Sequence, residues 1–173
     1  HRSGEFYKYD TEHEKPNPSA AAIRKCKRAY SACVRYVDRQ IGKVLVALEK
    51  LELANETVVV IWGDHGWHLG EQEIWAKHAP FERSNRSVLM LKVPGMRTAG
   101  RKTSSLAGTI DIYPTLVELC RPTFRKTQHT LNGVSLVPVL RHERTRVREQ
   151  VCSYWRDAVT VRTAGHRLVA KLK

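Results

Sequence analysis

The sequence predicts an α/β fold built on a parallel sheet. A helical period of apolar residues runs from Ala20 to about Leu53, and a β-branched run, Val58-Val59-Val60-Ile61, follows it and ends in Trp62-Gly63. Helix then strand is the αβ half of a crossover unit. A continuous apolar run bounded by Gly reads as a buried strand of a parallel sheet. The chain closes differently, with two strand-like segments and a hairpin after residue 143, which predicts the start of a small antiparallel subdomain. The expected division is a loop or tail over 1–18, an α/β portion over 19–142 and the subdomain over 143–173.

Residues 1–17 are polar and carry Pro16, so they read as a loop or tail. Ser19 is placed to cap the helix that follows. Within that helix Ile23, Cys26, Tyr30, Val37, Ile41, Val44, Leu48 and Leu51 recur at three and four, with Lys and Arg on the other face. Gly42 is the point where this helix could break, although one interior Gly is tolerated at a cost of about 1 kcal/mol. Ser87–Val93 reads as a second strand, ended by Pro94-Gly95. Pro114 suits the first turn of a helix that runs to Leu119. Residues 121–129 read as a loop, Leu131-Asn132-Gly133 as a turn and Val134–Leu140 as a short apolar element. Val151–Trp155 and Ala158–Arg162 read as strands, and Ala164-Gly165 turns into a third over 166–170.

Composition sets bounds. A chain of 173 residues with 42% hydrophobic content supports one domain with a real core. No apolar run approaches the roughly 20 residues of a transmembrane helix. The chain opens HRSGEFYKYD, without Met or an apolar leader, and is expected to be an internal piece of a longer protein. Its formal charge is +13, from 30 Lys and Arg against 17 Asp and Glu. Such a surface attracts polyanions, although each dense patch, 24–28 and 141–148, also reads as a solvated helix face. Cys26, Cys33, Cys120 and Cys152 form no CxxC pair, and Cys26 and Cys33 lie ~10 Å apart along the helix, too far for a mutual disulfide. They are expected to be buried, inert thiols. Asn55-Glu56-Thr57 and Asn85-Arg86-Ser87 fit the glycosylation triplet, which matters only in a secreted eukaryotic protein.

The candidate site lies at the end of the first strand, where open α/β sheets bind ligands. Asp64 offers a hard carboxylate oxygen and His65 an imidazole nitrogen, a pairing that suits a divalent metal. His68, Glu71, Glu73, Lys77 and His78 crowd the loop behind. Each has a simpler alternative: Asp64 as a turn cap, His65 as a core histidine, Lys77 as a surface cation, Trp67 and Trp75 as packing residues.

These residues, in this order, match a family. Gly63-Asp64-His65-Gly66, Leu69-Gly70-Glu71 and Trp75-Ala76-Lys77-His78 resemble the second metal-binding motif of the type I sulfatases, of the alkaline-phosphatase superfamily. Phe81-Glu82 with Arg86 through Pro94-Gly95 is similar to a following family segment. Asp111-Ile112-Tyr113-Pro114-Thr115-Leu116, Leu131-Asn132-Gly133-Val134-Ser135-Leu136 and Arg162-Thr163 with Arg167-Leu168-Val169 continue the series. Within the family the pattern looks most like the iduronate-2-sulfatases and their bacterial relatives.

The resemblance implies a mixed, mostly parallel sheet flanked by helices, present only in part. It implies hydrolysis of a sulfate ester, with 2-O-sulfated uronates of glycosaminoglycans as the expected substrate. Asp64 and His65 match two calcium ligands, and Lys77 the catalytic lysine that holds the substrate sulfate. Trp67 and His78 fall where substrate contacts are expected. A sulfated glycan or another sulfate ester is the expected partner, with no nucleic acid and no membrane, in a lysosomal, periplasmic or secreted compartment.

The formylglycine nucleophile of the family arises in a C/S-x-P-x-R motif. Cys120-Arg121-Pro122-Thr123-Phe124 lacks the Arg, and Cys152-Ser153-Tyr154-Trp155-Arg156 lacks the Pro. The nucleophile and the other metal ligands are therefore expected upstream, and this chain alone is expected to be inactive. Two other readings remain: a phosphonate or phosphodiester hydrolase of the same superfamily, and a non-enzymatic module that holds polyanions.

Overall fold

The computed structural model describes residues 18–123 and 129–172. The tail expected over 1–17 and most of the loop expected over 121–129 lie outside the described residues. The described residues form two compact units, one within residues 1–57 and 65–88, the other within residues 58–64 and 89–173.

The first unit is built on α1 (Ala20–Lys50). Ser19 caps it as expected, its Oγ accepting from the Ala22 N–H at 3.2 Å. The helix passes Gly42 without a break. A single Gly removes no backbone donor, so the ladder of hydrogen bonds continues through it. Beyond α1 this unit holds two short antiparallel strands, β2 (His68–Leu69) and β3 (Trp75–Ala76), joined by a 3₁₀ turn at Glu71–Glu73. The one-turn α2 (Glu82–Asn85) completes it. Ile74, Trp75, Ala76 and Ala79 are its buried apolar residues.

The second unit contains β1 (Val59–Trp62) and β4 (Leu89–Lys92), paired antiparallel from Val59 opposite Lys92 to Trp62 opposite Leu89. Here the structure departs from expectation. Among the described residues every strand ladder is antiparallel, and β1 is half-buried with Trp62 exposed. An apolar run reports a need for burial on both faces; it carries no information on the direction of its neighbours. A two-stranded ribbon also leaves most of both faces uncovered.

The same unit continues through a 3₁₀ turn (Thr109–Asp111) into α3 (Ile112–Cys120), then α4 (Val137–Arg141). Asp111 fastens them. Its carboxylate is fully buried and accepts from the Gly108 and Val134 N–H groups, each at 2.8 Å, and from Arg148 Nε at 2.7 Å. Thr115 donates to the Asp111 carbonyl at 2.6 Å and accepts from the Leu136 N–H at 2.8 Å. Strands β5 (Gln150–Trp155), β6 (Ala158–Thr163) and β7 (Arg167–Lys171) form the expected antiparallel meander.

The cysteines also correct an expectation. Cys33, Cys120 and Cys152 are exposed and Cys26 is half-buried. Apolar character in a periodic pattern marks a face, and these faces are not covered by the described residues.

Candidate active site around Trp67

The loop from His65 to Ala79 is held by its own backbone. Gly66 donates its N–H to the Ser84 carbonyl at 2.7 Å. A Cβ at Gly66 would collide with the carbonyl oxygen of Arg83, so the approach of this loop to α2 requires glycine. Gly70 sits at φ 103°, and a Cβ there would press on the Trp75 ring at 3.1 Å. Gln72, Glu73 and Ala76 also adopt positive φ, a conformation that costs each L-residue roughly 1–2 kcal/mol. Glu71 steadies the turn. Its carboxylate accepts the Leu69 N–H at 2.7 Å and faces Arg83 at 3.6 Å. Burial opposes its ionisation, but the backbone donors and Arg83 outweigh it and hold its pKa below the usual carboxylate value.

Trp67 is the hub of the site. The His65 ring lies 6.1 Å from its ring centre and the Tyr30 ring stacks at 6.4 Å. Lys77 Nζ stands 5.8 Å above its face, within the range of a cation–π contact. So Tyr30 of α1, His65 and Trp67 after the strand end, and Lys77 after β3 meet around one indole. His65 Nδ1 lies 2.9 Å from the Gly66 carbonyl. A carbonyl only accepts, so Nδ1 carries the proton and Nε2 the lone pair in the neutral ring. The Trp67 contacts join His65 and Lys77 among the expected site residues. Asp64, exposed, closes segment 58–64 of the second unit, and His78, half-buried, follows Lys77.

One residue named from the sequence was given no role there. His68 is fully buried, and neither ring nitrogen reaches a hydrogen-bond partner among the described residues. Burial pushes its pKa below the ordinary histidine value, Arg83 adds to that, and the Glu71 side opposes it. The period-2 register of β2 is the only sequence signal, and two residues are too few to display it. Trp75, by contrast, is a buried packing residue, as its aromatic character allows.

The comparisons with known proteins bear on this geometry. The family model for sulfatases matches residues 2–121. The chain belongs to the sulfatase family. A sulfatase of Formosa agariphila is 41% identical over 96 residues, covering 56% of this chain and 19% of that protein. Human iduronate 2-sulfatase is 38% identical over 119 residues, covering 68% of this chain and 21% of that protein. A solved protein in complex with its substrate, D-glucosamine-2-N,6-O-disulfate, superposes with a TM-score of 0.77 at 25% identity, over 96% of this chain and 35% of that one. A phosphonate monoester hydrolase from Silicibacter pomeroyi gives 0.80 at 21% identity, over 96% of this chain and 38% of that one, a likeness of fold. The chain spans about a fifth of the length of the curated relatives it matches. The fold is accordingly a mixed α/β sulfatase-like one, present in part.

The family implies calcium, and the residues present do not fit it by themselves. Calcium takes about 6–8 oxygen ligands. Among the described residues no group of three or more His, Cys, Asp or Glu side chains is placed to hold a metal. Asp64 and His65 would contribute one carboxylate and one imidazole.

Proposed function

We propose that this chain supplies one side of the catalytic site of a sulfuric ester hydrolase, with 2-O-sulfated uronate residues of glycosaminoglycans as substrate. The observation that carries the proposal is the Lys77 ammonium fixed over Trp67 beside His65. A compact cation on a steadied stem suits the oxygens of a bound sulfate ester. Its charge opposes the negative charge that builds on those oxygens as the ester bond breaks, and a fixed charge does so without reorganising at the moment of reaction. Trp67 and His78 would border the sugar. Asp64 and His65 would belong to a calcium shell whose other ligands lie outside these 173 residues, together with the nucleophile. The similarity to iduronate 2-sulfatase supports the substrate class. The compartment that goes with it is lysosomal, periplasmic or secreted.

Two assays test the reading. The chain alone, given an aryl sulfate and calcium, is expected to release no sulfate; calcium-dependent turnover would overturn the assignment of the nucleophile elsewhere. In the complete enzyme, Lys77→Ala is expected to lower kcat/KM on a 2-O-sulfated uronate disaccharide by about 10²-fold or more. The fold likeness to a phosphonate monoester hydrolase keeps a second reading alive. A complete enzyme that prefers a phosphonate monoester to the sulfate ester would replace the first reading with it.

A further inference from the structure

The side of α1 that faces away from Trp67 has a use the catalytic reading does not absorb. At 3.6 residues per turn, positions 28, 35, 39, 43, 46 and 50 fall within about 80° of arc. Arg28, Arg35, Arg39, Lys43 and Lys50 therefore form one ridge, and all five are exposed. The axial distance from Arg28 to Lys50 is about 33 Å at 1.5 Å per residue. Tyr30, Val37, Ile41, Val44 and Leu48 lie on the opposite side, the side whose Tyr30 stacks on Trp67.

The charge on this helix is lopsided. Arg24, Lys25, Lys27, Arg28, Arg35, Arg39, Lys43 and Lys50 stand against Asp38 and Glu49. The ion pairs found among the described residues join other side chains: Arg83 with Glu71, Arg101 with Glu143, Arg148 with Asp111 and Lys171 with Asp157. Lys27, Arg28 and Arg35 line one open stretch of this surface, and Arg39, Gly42, Lys43 and Lys50 line the next. A Cβ on Gly42 would touch nothing within 4 Å, so the ridge dips there. Tyr36, 66% exposed, borders the same side.

We propose that this ridge of α1 docks a linear sulfated polysaccharide, at a place distinct from the Trp67–Lys77 centre. The inference rests on the reading of the chain as part of a sulfated-glycan hydrolase. A row of cations about 33 Å long matches a polymer that repeats its negative charge along its length. Single-stranded nucleic acid is held on successive aromatic platforms, and this side of α1 presents Tyr36 alone. A membrane-bound helix buries its apolar face in lipid, and that face of α1 is the one opposite the ridge, where Tyr30 stacks on Trp67.

The experiment is a titration of the chain with a heparin dodecasaccharide at several salt concentrations. The test variant is Arg28→Gln/Arg35→Gln/Arg39→Gln. Gln has a helix propensity close to that of Arg, so α1 is kept, and circular dichroism checks that it is. The control, Arg141→Gln/Arg144→Gln/Arg146→Gln, removes the same charge elsewhere. The ridge variant is expected to lose at least tenfold in affinity, with a shallower salt dependence, and the control less than threefold. Equal losses would mean that bulk charge alone binds the polymer, and would overturn the proposal. So would affinity as high for a dodecathymidylate, for vesicles containing phosphatidylserine or for desulfated heparin. Lys77→Ala separates this inference from the catalytic one. It should leave dodecasaccharide binding intact even if the complete enzyme proves not to hydrolyse sulfate esters.

Discussion

At Gly66 the contact is with backbone, not with a movable side chain. Gly66→Ala would drive a methyl into the Arg83 carbonyl. The expected outcome is a displaced loop and a loss of about 1–3 kcal/mol, read as a fall in Tm together with loss of the Trp67 environment in near-ultraviolet dichroism. His68 makes a prediction in pH. Its folded pKa lies below the ordinary value, because burial disfavours the charged ring. The unfolded chain then binds more protons than the folded one once pH drops through about 6.5. Stability should fall as pH is lowered through that window and stop falling from this cause below the folded pKa. His68→Gln should flatten that part of the curve, measured as Tm from pH 7.5 to 5.5. Glu71 and Asp111 act in a lower window. Their pKa values are held down, so what they contribute is present above the usual carboxylate pKa of about 4 and is lost as pH falls through their folded values.

Helix α1 and the Asp111 clamp show what can be learned from an element. The helix was legible from its period, and its N-cap from one residue, since a Ser before a periodic run has a specific job on an orphan N–H. Of the two outcomes weighed at Gly42, a break or a tolerated glycine, the helix takes the second. Gly42→Ala should stabilise the chain by about 1 kcal/mol, because nothing lies within 4 Å of the added methyl; chemical denaturation would show an unchanged or lowered midpoint if this is wrong. The clamp was not legible. Asp111 stood out in a motif, but its partner Arg148 is 37 residues away, and no local rule connects them. Arg148→Ala leaves a fully buried carboxylate facing two backbone donors without its cation. The expected loss is about 3 kcal/mol, in line with broken buried pairs, and it should loosen the connection between α3 and the meander that begins at β5.

For the molecule as a whole, the half-site has a direct consequence in solution. Calorimetry of the chain with calcium should show no submicromolar binding, since one carboxylate and one imidazole do not replace a hydrated shell; tight binding would place the missing ligands within this chain after all. The exposed apolar residues of α1, among them Val37 at 53% and Val44 at 62%, fit a chain that spans about a fifth of its relatives' length. What the amino-acid order determined alone was local: the long helix, the β-branched strand, the three-stranded tail and a motif series specific enough to name the family. Periodicity, caps and turn residues act over a few positions, so one sequence displays them. What only the tertiary structure decided was who meets whom. The antiparallel partner of β1, the exposure of three cysteines, the burial of His68 and the gathering of Tyr30, His65 and Lys77 around Trp67 all depend on residues far apart in the chain. Burial and ring contacts are properties of a packed surface, and the order of residues along a chain does not contain that surface until it folds.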